Sequence, residues 1–186
     1  MKTLRWYGRR DLRYEDAPEP SPAPGQLKIK VSLAGICGTD MTEYAKGPVM
    51  IPPDKIPLTM GHEFVGYVVE LGEGVTGFDI GDRVSGVGYR YCGECYCCKR
   101  GYYNICVNPG FTGLLSDGCF AEYFVMPAYS VYLLPEGVSR PGLFGQKCQA
   151  SKAMTASTAM AKGSLYLFFR GAKTAHLRLR LVFPTG

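Results

Sequence analysis

Residues 1–139 are predicted to form a mainly β domain, a small barrel built from short strands. Three observations lead to this prediction. Apolar and charged residues alternate over 27–31, as in a strand with one buried face. A longer apolar run follows at 63–71, and glycine-rich turns come after it at 72–81. Helical periodicity is weak in this part of the chain, which favours a barrel over a helical domain.

One short helix is expected among these strands. It should open after Cys37, because Asp40 and Glu43 have the spacing of a capping box. Pro127 separates the last two candidate strands, since proline interrupts a strand ladder. The expected strands lie at 27–31, 63–71, from 82–84 onward, at 119–125 and at 129–134.

The charge of the chain divides sharply near residue 140. Of the 21 Lys and Arg residues and 16 Asp and Glu residues, the tail at 140–186 contains basic residues and no acidic one. The net charge of +5 therefore does not describe residues 1–139, which have no nucleic-acid footprint. The basic tail could contact polyanions, but it has no stacking platform or known binding motif, so no nucleic-acid partner is expected. Within the tail we expect a helix over 152–162 and strands over 164–169 and 176–183.

Four cysteines form the strongest local signal. Cys92, Cys95, Cys98 and Cys106 have the spacing C-x2-C-x2-C-x7-C. Four thiolates on one short loop can close a tetrahedral shell around Zn²⁺, and such a filled shell is structural rather than catalytic. Cys97 is a fifth thiol inside the run and could substitute in the shell.

Disulfides are the alternative for these cysteines, and incidental reduced thiols are another. Disulfides need an oxidising compartment. The N-terminal residues contain no apolar run long enough for a signal peptide, and no stretch is long and apolar enough to span a membrane. A cytoplasmic zinc protein without a membrane segment is therefore predicted.

A second candidate metal site consists of Cys37 and His62, with Glu63 next in the chain. A thiolate and an imidazole suit zinc, and a neighbouring carboxylate can ligate the ion or tune it. On these residues alone the pair is a weak signal, since single Cys and His side chains are more often simply packed. The remaining histidine, His176, lies in the tail and is expected to be incidental.

Several motifs in order resemble one family, the zinc-dependent medium-chain alcohol dehydrogenases. They are Gly-Ile-Cys-Gly-Thr-Asp at 35–40, Gly-His-Glu at 61–63, Gly-Asp-Arg-Val at 81–84, the four-cysteine run, Gly-Phe-Thr-Gly at 110–113 and Gly-Cys-Phe-Ala-Glu-Tyr at 118–123. Tyr44 and the segments 47–48 and 51–52 are most similar to 2,3-butanediol dehydrogenases, with sorbitol and threonine dehydrogenases as near neighbours. The resemblance covers about residues 1–139.

This resemblance implies a GroES-like β-barrel carrying a zinc-binding lobe at 89–108. It implies oxidation of an alcohol or polyol to a carbonyl, with hydride passing to NAD or NADP. Cys37 and His62 would hold the catalytic zinc, and Glu63 would be a ligand or a carboxylate behind it. Thr39 would touch the substrate oxygen and begin a proton relay, and Asp40 would orient His62.

Two features depart from the family pattern. Thr42 stands where many relatives carry a histidine that passes the proton to water. The third protein contact to the catalytic zinc should fall near residue 147, where the chain reads Lys147-Cys148. A lysine cannot replace a carboxylate there, although the thiol of Cys148 is a suitable metal ligand.

Beyond residue 140 the resemblance ends, and we expect no dinucleotide-binding fingerprint and no Rossmann domain in this chain. Residues 140–186 are interpreted as an unrelated basic tail, aberrant or poorly ordered, on a truncated protein. The zinc-binding domain is then expected to be inactive alone and to form homo-oligomers or aggregates through its uncovered face. The alternative is a non-catalytic zinc-binding module or a fragment.

Overall fold

The structure of the protein is a computed structural model that describes residues 1–137 and the backbone of 165–167. Its described part consists mostly of strands around one α-helix, and the main sheet curls into an open barrel. The predicted mainly β fold class is therefore confirmed. The proposed boundary between a domain at 1–139 and a tail at 140–186 stays a prediction.

The N-terminal residues form an antiparallel ribbon that the sequence reasoning did not predict. Strand β1 (Lys2–Gly8) pairs with β2 (Asp11–Asp16), and the short β4 (Leu58–Thr59) pairs with the other edge of β1. Trp6 of β1 is completely buried and belongs to the main core. The ribbon therefore closes one side of the barrel.

The main sheet is centred on β3, the longest strand. β3 pairs along its length with β5, and its opposite edge pairs first with β9 and then with β11. β5 pairs with β6, and β6 pairs with β10. The strands are β3 (Gln26–Ile36), β5 (Glu63–Leu71), β6 (Arg83–Gly86), β9 (Tyr123–Pro127), β10 (Val131–Leu133) and β11 (Leu165–Leu167).

The predicted strands agree with this sheet to different degrees. The run at 63–71 has the predicted bounds, whereas the strand predicted at 27–31 continues five residues further, to Ile36. The strand predicted at 119–125 begins only at Tyr123, and residues 118–121 instead make backbone hydrogen bonds to Thr59, Gly61 and the ribbon.

The core lies between the ribbon and the curled sheet. Its buried side chains come from almost every long strand, which explains why apolar residues recur at alternate positions. Removing this apolar surface from water is the main favourable term in the stability of the domain. The largest completely buried apolar side chains are Trp6, Phe64, Leu27, Ile29, Leu33, Ile51, Met60 and Met126.

Helix α1 (Gly38–Lys46) follows β3 after a single residue, Cys37. The prediction of a short helix is confirmed, but the predicted capping box at Asp40 and Glu43 is wrong. The backbone N–H of Cys37 donates to Asp40 Oδ2 at 2.8 Å, so the capping residue is Cys37 rather than Asp40, and the helix opens directly after Cys37 as predicted. The helix therefore points its first turn at the residues around Cys37.

Glu43 has a different role from the predicted one. Its completely buried carboxylate accepts hydrogen bonds from the backbone N–H groups of Val49 and Met50. A buried carboxylate is costly unless such donors satisfy it. Glu43 therefore ties α1 to the loop that follows it.

A second ribbon stands at the base of the four-cysteine lobe. It consists of β7 (Tyr89–Arg90) and β8 (Gly110–Phe111), which pair antiparallel. The lobe between them has no long strand or α-helix and contains two short 3₁₀ turns, Cys98–Arg100 and Tyr103–Ile105. Two further 3₁₀ turns lie at Pro53–Lys55 and Ala128–Ser130.

Beyond residue 137 only β11 is described. It lies inside the strand predicted at 164–169 and pairs antiparallel with Ala34–Ile36 of β3, next to Cys37. The helix predicted at 152–162 and the strand predicted at 176–183 lie outside the described residues. Among the residues that the structure describes, no helix is long and apolar enough to cross a membrane.

Candidate metal centres and active site

Cys37, His62 and Glu63 converge although 24 residues separate the first two in the sequence. Strand pairing brings them together, because Gly35 of β3 lies opposite Glu63 of β5. Cys37 follows the end of β3 and His62 precedes β5 directly. One sulfur, one ring nitrogen and one carboxylate oxygen of these residues lie within 4.8 Å of one another.

The imidazole of His62 has a defined neighbour at each nitrogen. Nε2 lies 3.3 Å from the hydroxyl of Thr39, and Nδ1 lies 3.8 Å from Asp40 Oδ1. The distance to Asp40 is too long for a hydrogen bond, and neither Nδ1 nor Oδ1 has another hydrogen-bond partner in the described structure. Burial lowers the pKa of His62 to about 4, so near neutral pH its ring is neutral and can offer a lone pair.

Asp40 is a buried carboxyl at the start of α1. Burial raises its pKa to about 7, and the charge of Glu63 adds to this, while the backbone N–H groups of Cys37 and Gly61 oppose it. Because His62 is neutral near pH 7, Asp40 and His62 do not form an ion pair despite their 3.8 Å separation. Asp40 both caps the helix and faces the second nitrogen of His62.

Cys37 and Glu63 are also pushed toward their neutral forms. Burial raises the pKa of Cys37, and hydrogen bonds from Thr39 oppose the increase. Burial likewise raises the pKa of Glu63, against a hydrogen bond with Cys37. A divalent cation would reverse both effects, because it favours the ionised ligands. A sulfur, nitrogen and oxygen donor set of this kind fits zinc.

The backbone before His62 requires glycine. Gly61 has a φ of +92°, a left-handed conformation that L side chains rarely adopt, and an added Cβ would overlap the ring of Phe120. The Gly-His-Glu motif therefore needs its glycine both for the left-handed backbone conformation and for the limited space beside Phe120. Phe120 and the neighbouring backbone hold the turn that presents His62 to Cys37.

The four lobe cysteines form a second group of metal-ligand atoms. The sulfurs of Cys92, Cys95, Cys98 and Cys106 all lie within 4.8 Å of one another. Cys92 Sγ is 3.5 Å from Cys106 Sγ and 3.9 Å from Cys98 Sγ. Four sulfurs at about 2.3 Å from one Zn²⁺ lie about 3.8 Å apart in a tetrahedron, whereas bonded sulfurs are about 2.05 Å apart.

These separations favour metal ligation over the disulfide alternative, and each described lobe cysteine is free. Cys97, the fifth thiol, is partly buried and lies outside the group of four. Its carbonyl instead accepts hydrogen bonds from the N–H groups of Arg100 and Tyr102. Cys97 thus caps the 3₁₀ turn Cys98–Arg100, and its sulfur is not one of the four that converge.

The lobe backbone prepares its sulfurs for ionisation. N–H groups approach Cys92, Cys95 and Cys106 at 3.3–3.4 Å. Such donors lower the pKa of Cys95 to about 6 and also lower that of Cys106. Burial and the neighbouring sulfurs raise the pKa of Cys98 to about 12, so without a cation this thiol keeps its proton.

The structure also shows neighbours of the site that sequence reasoning missed. The ring of Phe111 packs edge-on against His62, with ring centroids 5.2 Å apart. The completely buried thiol of Cys119 donates to the carbonyl of Glu63 at 3.4 Å. Both residues occurred in the quoted motifs, but nothing in their spacing indicated that they would contact the residues at 62–63.

Other predicted features fall elsewhere. Thr42 lies one turn further along α1 than Thr39, and its hydroxyl donates to the carbonyl of Gly38 at 3.0 Å. Lys147, Cys148 and His176 lie outside the described residues, so a third contact to the Cys37 cluster stays a prediction. The glycine spacing Gly-x-Gly-x-x-Gly does occur at 72–77, contrary to expectation.

That glycine run does not form a dinucleotide-binding turn in the described structure. It follows β5, but bends and turns lead from it into β6 rather than into a helix. The fingerprint needs a helix whose N-terminus receives the pyrophosphate. Among residues 1–137 no element therefore provides this part of a nicotinamide site.

The comparisons with known proteins agree with the fold. The model for the alcohol dehydrogenase GroES-like domain matches residues 23–136, well over half of the chain. The chain belongs to this family. A sorbitol dehydrogenase from Halalkalibacterium halodurans is 40% identical over 161 residues, which cover 86% of this chain and 46% of that protein.

Solved structures of the family show the same similarity. The 2R,3R-butanediol dehydrogenase of Bacillus subtilis is 41% identical, with a TM-score of 0.68 over 75% of this chain and 42% of that one. A thermostable alcohol dehydrogenase from Pyrobaculum aerophilum, solved with cobalt and zinc bound, is 34% identical, with a TM-score of 0.65 over 72% and 41%. The chain thus spans less than half the length of these relatives.

Proposed function

We propose that the first 139 residues are the zinc-binding catalytic domain of an NAD(P)-dependent alcohol or polyol dehydrogenase of the 2,3-butanediol or sorbitol type. The observation that carries the proposal is the convergence of Cys37, His62 and Glu63 within 4.8 Å, with the hydroxyl of Thr39 beside them. Three protein ligands would leave a coordination position for a small alcohol substrate.

Each residue of the cluster then has a role. Zinc held by Cys37, His62 and Glu63 would supply Lewis acidity toward the alcohol oxygen, and a nicotinamide would accept the hydride. Thr39 lies beside Nε2 of His62, where its hydroxyl would contact the substrate oxygen and take the substrate proton as it passes its own proton on to water. Asp40 faces Nδ1 of His62 at 3.8 Å, and a hydrogen bond formed there when metal is bound would orient the imidazole.

The lobe has a structural role in this proposal. Four thiolates fill a zinc shell and leave no position for substrate, so a metal there stabilises the lobe without taking part in turnover. Reduced thiolates also fit a reducing compartment, and the cytoplasm is the proposed location. The substrate class rests on the relatives named above, and no partner other than a small alcohol or polyol is proposed.

A domain replacement tests the catalytic role. Residues 1–137 would replace the matching N-terminal segment of the B. subtilis butanediol dehydrogenase, whose remaining part supplies the regions beyond it. We expect NAD-dependent oxidation of butanediol, and its loss in the Cys37→Ser chimera. Cys97→Ser is the matched control, since it removes a cysteine from outside both ligand groups.

The same experiment separates the competing readings. The 186-residue polypeptide alone should show no turnover, because its described residues form no binding site for a hydride acceptor. A folded chimera that binds zinc at the lobe but has no activity would contradict the catalytic proposal. That outcome would instead support the alternative of a non-catalytic zinc-binding module.

A further inference from the structure

The ribbon β7–β8 lies between the four-cysteine lobe and the cluster around His62. Tyr89 pairs with Phe111 and Arg90 with Gly110. Strand β7 ends two residues before Cys92, and strand β8 begins four residues after Cys106. The ribbon is thus the point where both ends of the lobe meet, and its pairing depends on the lobe that joins its strands.

Phe111 carries the contact from this ribbon to the cluster. Its ring meets that of His62 at 81°, with centroids 5.2 Å apart. Thr39 and Asp40 face the two ring nitrogens of His62, whereas Phe111 packs against the ring itself. An aromatic edge contact of this kind restricts the rotation of the imidazole.

The packing at this contact leaves no spare room. A Cβ added to Gly88, just before β7, would lie 2.9 Å from His62 Cβ and 3.0 Å from Phe111 Cε1. Thr112 N–H donates to the carbonyl of Gly88 at 2.9 Å, which clamps the two strands together here. The space between Gly88, His62 and Phe111 is therefore closely filled, and the position of Phe111 follows that of the ribbon.

Tyrosines connect the ribbon to the lobe on the other side. The hydroxyl of Tyr89 donates to the carbonyl of Tyr103 at 2.8 Å. The ring of Tyr91 stacks on that of Tyr103, with centroids 4.1 Å apart, and is packed at 4.3 Å against Tyr129 of the barrel. Tyr103 lies in the turn that leads to Cys106, so loss of the lobe fold would remove these supports.

We propose that Phe111 is a positioning residue for His62 and that it makes the metal affinity of the Cys37 cluster depend on the fold of the four-cysteine lobe. The lobe would then serve the reaction indirectly: its ligands hold the ribbon, the ribbon holds Phe111, and Phe111 holds the imidazole. This inference rests on the proposed catalytic role of the cluster and deepens it.

Histidine NMR tests the packing without any metal at the cluster. The chain has only two histidines, so histidine-selective labelling gives two sets of ring signals, and His176→Gln assigns them. With one zinc per chain in the lobe, Phe111→Leu should move the His62 signals because the aromatic ring current is lost. Phe111→Tyr keeps the ring and should leave them near their original position.

The connection to the lobe needs its own pair of variants. Cys106→Ser removes a lobe ligand and should move or broaden the His62 signals, whereas Cys97→Ser removes a thiol outside the shell and should not. Adding Phe111→Leu to Cys106→Ser should have little further effect if both act through one contact. Circular dichroism of each variant checks that the barrel remains folded.

Cobalt binding gives the second readout. In lobe-loaded protein, Phe111→Leu should weaken Co²⁺ binding at the Cys37 cluster by about tenfold or more, and Phe111→Tyr should restore it. Unchanged affinity and unchanged His62 signals in folded Phe111→Leu protein would overturn the inference. If wild-type protein binds no Co²⁺ at the cluster, the proposed function fails instead, and the NMR result still decides the packing.

Discussion

Thr39 and Thr42 are two hydroxyl residues in the first turns of one helix, and their surroundings give them different roles. The hydroxyl of Thr39 lies 3.3 Å from Nε2 of His62. Thr42 bonds the carbonyl of Gly38 four residues back, as threonines inside helices commonly do. Only Thr39 is therefore placed to exchange a proton with a substrate held at the cluster.

Replacing each threonine by valine tests this difference in the active chimera. Thr39→Val removes the hydroxyl that would take the substrate proton, so kcat should fall by about 10²–10⁴-fold. Thr42→Val is the matched control with the same change of side chain, and its kcat should stay close to that of the parent. Steady-state kinetics with butanediol would measure both, and equal losses in the two variants would contradict the assignment.

At the scale of elements, the site depends on how α1 and its following loop are held. Glu43 is the buried link, since its carboxylate accepts the N–H groups of Val49 and Met50. Gly47 lies against this carboxylate and against Trp6, because an added Cβ there would lie 2.8 Å from the indole ring. Trp6 is the only tryptophan of the chain and so reports on this junction.

We expect Glu43→Gln to loosen this junction, because the amide nitrogen cannot accept a hydrogen bond and the buried side chain keeps only one of its two backbone partners. The free energy of unfolding should fall by about 1–3 kcal/mol, with a change in Trp6 fluorescence before global unfolding. Urea titration followed by fluorescence and circular dichroism measures both effects. Glu73→Gln is the control, since it makes the same charge change at an exposed position.

Local patterns were enough to predict some of these elements. The strand over 63–71 has matching bounds because its apolar run and flanking glycines are both local signals. The N-terminal ribbon was missed because burial within it depends on distant partners, such as Ala121 and Thr59, rather than on regular alternation. The opening of the helix after Cys37 was predicted, but its capping residue was misassigned, because Cys37 stands where Ser, Thr or Asp is the usual cap.

The two candidate metal groups show the same limit. The lobe was predictable because all four cysteines lie within 15 residues and their spacing alone brings the sulfurs together. The Cys37 cluster needed the register of β3 against β5, which the packed core determines, so the residues alone gave a weak signal. The contact of Phe111 with His62 joins two segments that are distant in the sequence, and no spacing rule predicts it.

At the scale of the whole molecule, the chain contains two ligand groups that differ in how far they depend on the rest of the fold. The lobe group is complete within residues 92–106. The Cys37 group draws on two strands, a helix and, by our proposal, Phe111 of the ribbon. We therefore expect the two groups to hold zinc with different strength although both are present in one polypeptide.

Stepwise metal removal tests this expectation. Purified protein should contain about two zinc ions per chain, and a graded series of chelator concentrations should remove one well before the other. The Cys37 cluster should lose its zinc first. Its three mixed ligands leave one coordination position open, whereas the four thiolates of the lobe form a complete shell. Elemental analysis of each dialysed sample, with circular dichroism alongside, gives the metal content and the state of the fold.

Two variants identify which zinc leaves first. Cys37→Ser should contain about one zinc and lack the early step, whereas Cys106→Ser should lack the late step. By the coupling through Phe111, Cys106→Ser should also release its remaining zinc at lower chelator concentration than the wild type. A Cys37→Ser protein that keeps the early step would show that the early zinc belongs to the lobe and would contradict this order.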